Sequence, residues 1–206
     1  MIKNWIKGRV LKYISGFKDL DGWLTEREAM GLFLLAFKAP RNATIVEIGS
    51  WQGKSTYCLS KGLRSGKVYA IDPFNADGGL DKDSEKIYAE KKGTDDLYAK
   101  FVSNMTKLKV LSKIVAKRGY SYQFPDEFNK IDVLFIDGDH SIAGCKLDFE
   151  LFSPKVVVGG YIAFHDYDKS RNELGPTYVI QNMVLNSSAY VYYRQYDSLW
   201  VAKKIG

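Results

Sequence analysis

Both histidines of the chain stand beside aspartates, directly after apolar runs that are typical of buried strands. One group follows the run IDVLFI and the other closes the run GGYIAFHD; together they comprise Asp137, Asp139, His140, His165 and Asp166. An imidazole beside carboxylates can accept a proton from a substrate, and the same side chains can bind a divalent cation. We therefore expect acid–base chemistry at this place, with or without a metal ion.

The stretch GSWQGKST (49–56) is similar to a phosphate-binding loop but shorter by one residue. A P-loop reads G-x-x-x-x-G-K-[ST], whereas Gly49 and Gly53 bracket only three residues. Loop length matters because successive backbone N–H groups must wrap one phosphate, and Glu47 would repel that phosphate. The dinucleotide fingerprint also fails, because Trp51 stands where a second glycine would let the backbone approach a pyrophosphate. A P-loop-like nucleotide site is the less favoured interpretation.

A nucleoside cofactor that carries no phosphate suits these residues better. Asp72 ends the next predicted strand, where an acid can accept hydrogen bonds from both ribose hydroxyls. Trp51 can lie near a sulfonium, because an aromatic face attracts a cation. Glu47 suits a positively charged amino-acid end. Adenosine, sulfonium and amino acid are the three parts of S-adenosylmethionine.

The net charge of +6 is concentrated at the N-terminus. Residues 1–18 hold five basic side chains and no acid, which leaves 25 basic and 24 acidic groups in the remainder. No domain-wide surface for nucleic acid is therefore expected. Apolar residues at helical spacing predict that a basic arm of about residues 1–20 is a helix. It would dock on its own domain or on a sister subunit in a homo-oligomer, or contact a membrane surface or an acidic partner.

Composition narrows the class of protein further. No apolar run is long enough for a transmembrane segment, and the N-terminus lacks the apolar core of a signal peptide. Cys58 and Cys145 have neither disulfide-framework nor zinc-site spacing. A cytoplasmic localisation is the expectation.

Strand and helix signals alternate along the chain. The helix at 25–39 has Thr25 as its N-cap and Glu28 completing a capping box. Further helices are predicted at 54–63 and 140–152. The predicted strands lie at 44–49, 67–72, 112–117, 131–137 and 159–166, with a closing hairpin at 189–204. Residues 73–107 are expected to hold helical pieces and a mobile loop at 75–79.

This alternation predicts a single α/β domain over residues 1–206, with a doubly wound, parallel sheet between two layers of helices. Ligands of such sheets bind beyond the carboxyl ends of the strands. Besides the acids and histidines above, Arg118, Gly119 and Ser121 follow a predicted strand end.

Two sequence blocks resemble class I S-adenosylmethionine-dependent methyltransferases. IVEIGSWQGKST is similar to the first motif of the catechol-type O-methyltransferases, in the form E-x-G-x-aromatic-x-G-x-S. IDVLFIDGDHSIAGCKLDFELFSPKVVVGGYIAFHDY (131–167) resembles the fourth and fifth strands of the sugar and macrolide O-methyltransferases. The resemblance covers residues 22–167. It implies a Rossmann-like methyltransferase fold, with a mostly parallel seven-stranded sheet and a C-terminal β-hairpin.

The resemblance also implies roles for individual residues. Asp137, His165 and Asp166 fall on the positions that hold Mg²⁺ or Mn²⁺ in metal-dependent members, although His165 replaces the usual acid. His140 falls on the position of the macrolide branch's catalytic base, beside Asp137. We expect its pKa near the ordinary value of about 6.5. The residues expected to bind the cofactor are Glu47, Gly49, Trp51, Gly53, Ser55, Asp72, Gly119, Ser121 and Asp137.

These roles predict methylation of a hydroxyl group on a small molecule such as a sugar or natural product. The motifs of enzymes that methylate amino groups or cytosine C5 in nucleic acids are absent from the sequence. Two alternatives stay open. The protein could be a non-catalytic S-adenosylmethionine-binding module, or Asp139 and Ser141 could simply cap a helix while Asp137 closes a strand.

Overall fold

The computed structural model describes residues 4–76, 90 and 96–206. The helices of these residues are α1 (Asn4–Tyr13), α2 (Glu26–Lys38), α3 (Lys54–Gly62), α4 (Leu97–Lys107), α5 (Ile142–Phe152) and α6 (Gly175–Val179). The strands are β1 (Ala43–Ile48), β2 (Gly66–Asp72), β3 (Ile114–Arg118), β4 (Ile131–Ile136), β5 (Val156–Phe164), β6 (Tyr190–Tyr196) and β7 (Leu199–Lys204).

The seven strands of the described residues form one sheet in the order β3-β2-β1-β4-β5-β7-β6. Strands β1 to β5 are parallel, and β7 runs antiparallel to both β5 and β6. The chain moves outward from β1 to β3 and then crosses back to β4, so the direction of winding changes between β1 and β4. A crevice is expected beyond the carboxyl ends of these two strands.

Successive side chains of the central strands enter different cores on opposite faces of the sheet. Ile45 and Val133 belong to the core beneath α2, α3 and α4, whereas Val46 and Leu134 belong to the core beneath α5 and α6. Because both faces are covered, the strands are apolar on both sides rather than alternating with polar residues. The doubly wound α/β fold and the closing hairpin are therefore confirmed.

The starts of three elements differ by two or three residues from the sequence prediction. The third strand begins at Ile114, because Leu111–Lys113 forms a 3-10 turn. The helix predicted from residue 140 begins at Ile142, with Ser141 as its N-cap. The fifth strand begins at Val156, earlier than expected. The predicted loop at 75–79 lies largely outside the described residues.

The N-terminal arm packs on its own chain. After α1, a 3-10 helix at Ser15–Asp19 places Ile14 and Phe17 in the core, where they are almost completely buried. Tyr13, one of the apolar residues of this arm, is 57% exposed at the end of α1. In the described residues, no helix is long and apolar enough to cross a membrane.

Glu28 connects the start of α2 with two other parts of the fold. The predicted capping box is present: Glu28 N donates to Thr25 Oγ1 at 3.2 Å, and Thr25 N donates to Glu28 Oε2 at 2.8 Å. The other carboxylate oxygen accepts from the backbone and hydroxyl of Ser198, in the turn between β6 and β7. His165 Nε2 lies 3.4 Å from Glu28 Oε2. Burial alone would raise the pKa of Glu28, but these partners, led by His165, lower it to about 2.

We predict that Glu28→Ala lowers the free energy of unfolding at pH 7 by about 2 kcal/mol, because it removes a cap and leaves buried donors without an acceptor. Because folding lowers the pKa of Glu28, its carboxylate stabilises the fold at pH values above the unfolded pKa of about 4.5. This contribution is lost as the pH falls through about 2. The difference between Glu28→Ala and the unaltered protein should therefore shrink below pH 4.5, as measured by urea denaturation. Glu26→Ala, in the same helical turn but half-exposed, is the control and should change stability little. Equal losses in both variants would contradict this role.

Candidate active site

A cavity of about 560 Å³ lies at the carboxyl edge of the sheet, across the ends of β1, β2 and β4. The sequence-predicted residues that line it are Gly49, Trp51, Ser55, Asp72, Gly119, Ser121, Asp137, His140, His165 and Asp166. Glu47 and Gly53 do not line it. The cavity therefore brings the residues predicted for cofactor binding next to those predicted for acid–base chemistry.

Gly49 and Gly53 shape the loop that forms the cavity floor. Gly49 has φ +86°, and a Cβ there would lie 2.0 Å from the carbonyl oxygen of Asp137. Gly53 has φ +93°, and a Cβ there would lie 2.5 Å from Met105 Cε. The positive φ disfavours a larger residue at both positions, and at Gly49 the backbone carbonyl of Asp137 also leaves no space for one. The requirement for glycine thus comes from the approach of β1 to β4 and from the packing of α3 on α4.

The backbone N–H groups of the loop point at Asp72. Ser50 N and Trp51 N each donate to Asp72 Oδ2 at 2.8 Å, and Phe74 N donates to Oδ1. Burial raises the pKa of Asp72, and these three hydrogen bonds partly offset the effect. Trp51 is held at φ +47°, an uncommon conformation for a non-glycine residue. Two N–H groups that a P-loop would offer to a phosphate are thus already donated to a carboxylate, which argues against that interpretation.

Glu47 lies beneath the loop and is completely buried. Its Oε2 accepts hydrogen bonds from Ser50 Oγ and Thr56 Oγ1, while Oε1 has no hydrogen-bond partner among the described residues. Burial raises the pKa of Glu47 to about 7, although the hydroxyls of Ser55, Thr56 and Ser50 oppose the shift. The structure thus separates Glu47 from the cavity surface by a layer of serine side chains.

Asp137 lies between the two histidines. Its Oδ1 is 3.1 Å from His165 Nδ1 and 3.6 Å from His140 Nε2. Burial alone would raise the pKa of Asp137, but the adjacent His165 and His140 lower it. Asp166, at φ +56°, turns its Oδ2 to within 3.2 Å of His140 Nε2 and 3.3 Å of His165 Nδ1. The carboxyl ends of β4 and β5 thus form one compact group of two acids and two imidazoles.

His140 faces both carboxylates at the cavity surface. Burial alone would lower its pKa, but Asp137 and Asp166 raise it above 6.5. The sequence-based expectation of an ordinary pKa did not include Asp166, which faces the ring together with Asp137. Nε2 is buried and has no aligned hydrogen-bond partner among the described residues. The ring is placed to receive a proton or to bind an ion.

The ligand atoms of Asp137, His140 and Asp166 lie within 4.8 Å of one another in the described part of the chain. Two carboxylate oxygens and an orphaned imidazole nitrogen fit a divalent cation such as Mn²⁺. His165, the histidine of the predicted donor set, also has its Nδ1 3.1 Å from Asp137 Oδ1 and 3.3 Å from Asp166 Oδ2, so that set stays a prediction. His165 lies behind the carboxylates, 4% exposed, between Asp137 and Glu28.

Sequence reasoning missed two further features of the cavity wall. Asp148 of α5 is buried, lines the cavity and accepts a hydrogen bond from Ser121 Oγ; burial raises its pKa to about 7. An acid on the apolar stripe of a helix, beside Cys145 and Phe149, was the available signal. Residues 21–24, which precede α2, form another part of the wall. Nothing in their spacing signals that position.

Comparison with known proteins places the chain among methyltransferases. The family model described as a methyltransferase domain matches residues 46–167. An uncharacterized protein of Acanthamoeba polyphaga mimivirus is 34% identical over 62% of this chain and 53% of its own length. The chain spans about half or less of the length of the curated relatives it matches.

Solved structures show the same fold at low sequence identity. A methyltransferase from Geobacter sulfurreducens is 13% identical, with a TM-score of 0.64 and coverage of 100% of this chain and 96% of that one. The O-methyltransferase TomG from Streptomyces achromogenes, solved with S-adenosylmethionine, is 15% identical, with a TM-score of 0.62 and coverage of 97% and 89%. With a Rossmann-like methyltransferase fold, and with more than half of its length matched by the family model, the chain belongs to this methyltransferase-domain family.

Proposed function

We propose that this protein is an S-adenosylmethionine-dependent O-methyltransferase that acts on a hydroxyl group of a small molecule such as a sugar or natural product. The observation that carries the proposal is the shared cavity. One end holds the Asp72-bound loop, and the other end holds Asp137, His140 and Asp166. A methyl donor and a hydroxyl acceptor bound at the two ends would meet over the ends of β1 and β4.

When bound, the cofactor would supply a methyl group whose carbon is electrophilic because it is attached to a sulfonium sulfur. The nucleoside would lie between Asp72 and the loop at Gly119 and Ser121, with Asp72 accepting from the ribose hydroxyls through its remaining lone pairs. Trp51 would offer its indole face to the sulfonium. Gly49 and Gly53 would contribute through their positive φ angles, which let the loop adopt its conformation. Ser55 would contribute by lining the cavity. Glu47 would act indirectly, by orienting the hydroxyls of Ser50 and Thr56.

The acid–base end of the cavity would prepare the acceptor hydroxyl. His140 would accept its proton through Nε2, while Asp137 and Asp166 stabilise the imidazolium that forms. On a second route, in which Nε2 of His140 would be a ligand and not a base, a divalent cation held by Asp137, His140 and Asp166 would lower the pKa of a bound hydroxyl. His165 would orient Asp137 from behind, anchored by Glu28. Both routes need the acceptor and the methyl carbon in line.

We predict that the protein binds S-adenosylhomocysteine and that Asp72→Asn weakens binding about 10- to 100-fold, because one amide cannot accept from the loop and both ribose hydroxyls. Isothermal titration calorimetry measures the affinity. Asp132→Asn is the matched control, since Asp132 is a buried acid that accepts from Thr44 N and does not line the cavity. Tight binding of ATP or GTP without any response to S-adenosylhomocysteine would overturn the proposed function. Binding without turnover over a broad panel of hydroxyl acceptors would favour a non-catalytic module.

We predict that His140→Ala lowers kcat about 10²- to 10⁴-fold, with little change in cofactor affinity. The neutral imidazole is the active base and dominates above its pKa, which the two aspartates raise. The rate with an acceptor from the panel should therefore rise with pH along a limb above about pH 6.5, and the variant should lose that limb. A near-normal kcat in His140→Ala, together with a large loss in Asp139→Asn, would assign the proton to Asp139 instead.

On the second route, in which Nε2 of His140 would bind the ion instead of a proton, we predict that EDTA lowers activity and that Mn²⁺ restores it, because the donor set combines carboxylates with an imidazole. Calorimetry should detect Mn²⁺ binding that Asp166→Asn weakens at least about tenfold. Asp168→Asn is the control, because this nearby aspartate is exposed and lies outside the group. Activity that EDTA leaves unchanged would leave His140 as base without a metal ion.

A further inference from the structure

Lys54, the lysine of GSWQGKST, contacts a backbone carbonyl, whereas the lysine of a P-loop binds a phosphate. Lys54 is the first residue of α3, whose first turn contains no acid. A cation at a helix N-terminus is electrostatically unfavourable, so its placement there requires a compensating contact. Its Nζ donates a hydrogen bond to the carbonyl oxygen of Gly22 at 2.9 Å and lies 5.8 Å from the ring centre of Phe17. Lys54 thus joins the loop after β1 to the segment before α2.

That segment, residues 21–24, has no helix or strand of its own and forms part of the cavity wall. Gly22 has φ +138°, and a Cβ there would lie 3.4 Å from Lys54 Cδ. The segment therefore packs along the aliphatic stem of Lys54 as well as accepting its hydrogen bond. Without backbone ladder hydrogen bonds, its path over the cavity depends on side-chain contacts of this kind.

Trp23 of this segment contacts Trp51 of the loop after β1. The rings of Trp23 and Trp51 have centroids 6.1 Å apart at an interplanar angle of 48°, and both residues line the cavity. Trp23 is still 44% exposed, so much of its surface is open to further contact. Two indoles that meet at an angle form an aromatic corner, which attracts a cation or covers an apolar group.

We propose that Lys54 is a positioning residue for cofactor binding: by holding the carbonyl of Gly22, it places Trp23 against Trp51 so that the two indoles together cover the sulfonium end of the cofactor. The inference rests on the proposed function, and it deepens it by assigning residues 21–24 to the cofactor site. Lys54 also lines the cavity, so the test must separate a direct contact between Lys54 and the cofactor from an effect that passes through Trp23.

The test compares Lys54→Met, which keeps the stem but loses the donor, with Lys54→Arg, which keeps a donor. Calorimetry with S-adenosylmethionine should show binding weakened about tenfold in Lys54→Met, as expected for loss of a charged hydrogen bond, and close to normal in Lys54→Arg. Lys61→Met is the matched control. Lys61 lies on the same helix and contacts the N-terminal arm through the ring of Tyr13 at 3.8 Å, and it does not line the cavity.

A double-mutant cycle with Trp23→Ala separates positioning from a general structural effect. If Lys54 acts through Trp23, Lys54→Met should weaken S-adenosylmethionine binding about tenfold in the unaltered protein and less than about twofold in the Trp23→Ala background. Additive effects, or equal losses in Lys54→Met and Lys61→Met, would overturn this inference and leave the proposed function intact. Failure of the unaltered protein to bind either S-adenosylmethionine or S-adenosylhomocysteine would overturn both.

Discussion

The close approach of β1 and β4 at their carboxyl ends is the constraint on which the site depends. Gly49 N donates to Ile71 O at 2.9 Å and Asp137 N donates to Ile48 O at 2.8 Å, so three strand ends are joined just where the loops leave the sheet. Gly49 permits this because any Cβ would collide with the carbonyl of Asp137. The approach places the loop held by Asp72 within one cavity of the carboxylate that faces both histidines.

The buried carboxylates at the two ends of this cavity have different kinds of partner. At the loop end, Asp72 accepts hydrogen bonds from backbone N–H groups and Oε2 of Glu47 accepts them from hydroxyls, and burial raises the pKa of both carboxyls. At the other end, Asp137 lies beside two imidazoles that lower its pKa. A buried carboxylate costs free energy unless it is paired or hydrogen-bonded, so each group is fixed by its neighbours. The hydrogen bonds and imidazole contacts that stabilise these acids therefore also orient the side chains that a bound ligand would contact.

Much of the fold followed from local patterns, whereas the site's finer geometry did not. Two predictions depend only on residues close together in sequence, and both are confirmed: the capping box of Thr25 and Glu28, and the apolar strand β4. The link from Glu28 to His165 joins residues far apart in sequence, and only the packing of α2 against the sheet brings them together. Asp166 lies at positive φ, so its carboxylate reaches both His140 and His165, and no spacing in the sequence reveals this turn.

S-adenosylmethionine bound in this cavity would direct its methyl group at His140. A crystal structure of the protein with S-adenosylhomocysteine is the decisive experiment. We expect the ribose at Asp72, the purine beside Gly119 and Ser121, and the sulfur between Trp51 and the Asp137–His140 edge. A cofactor bound elsewhere, or bound here with its sulfur directed away from His140, would rule this arrangement out.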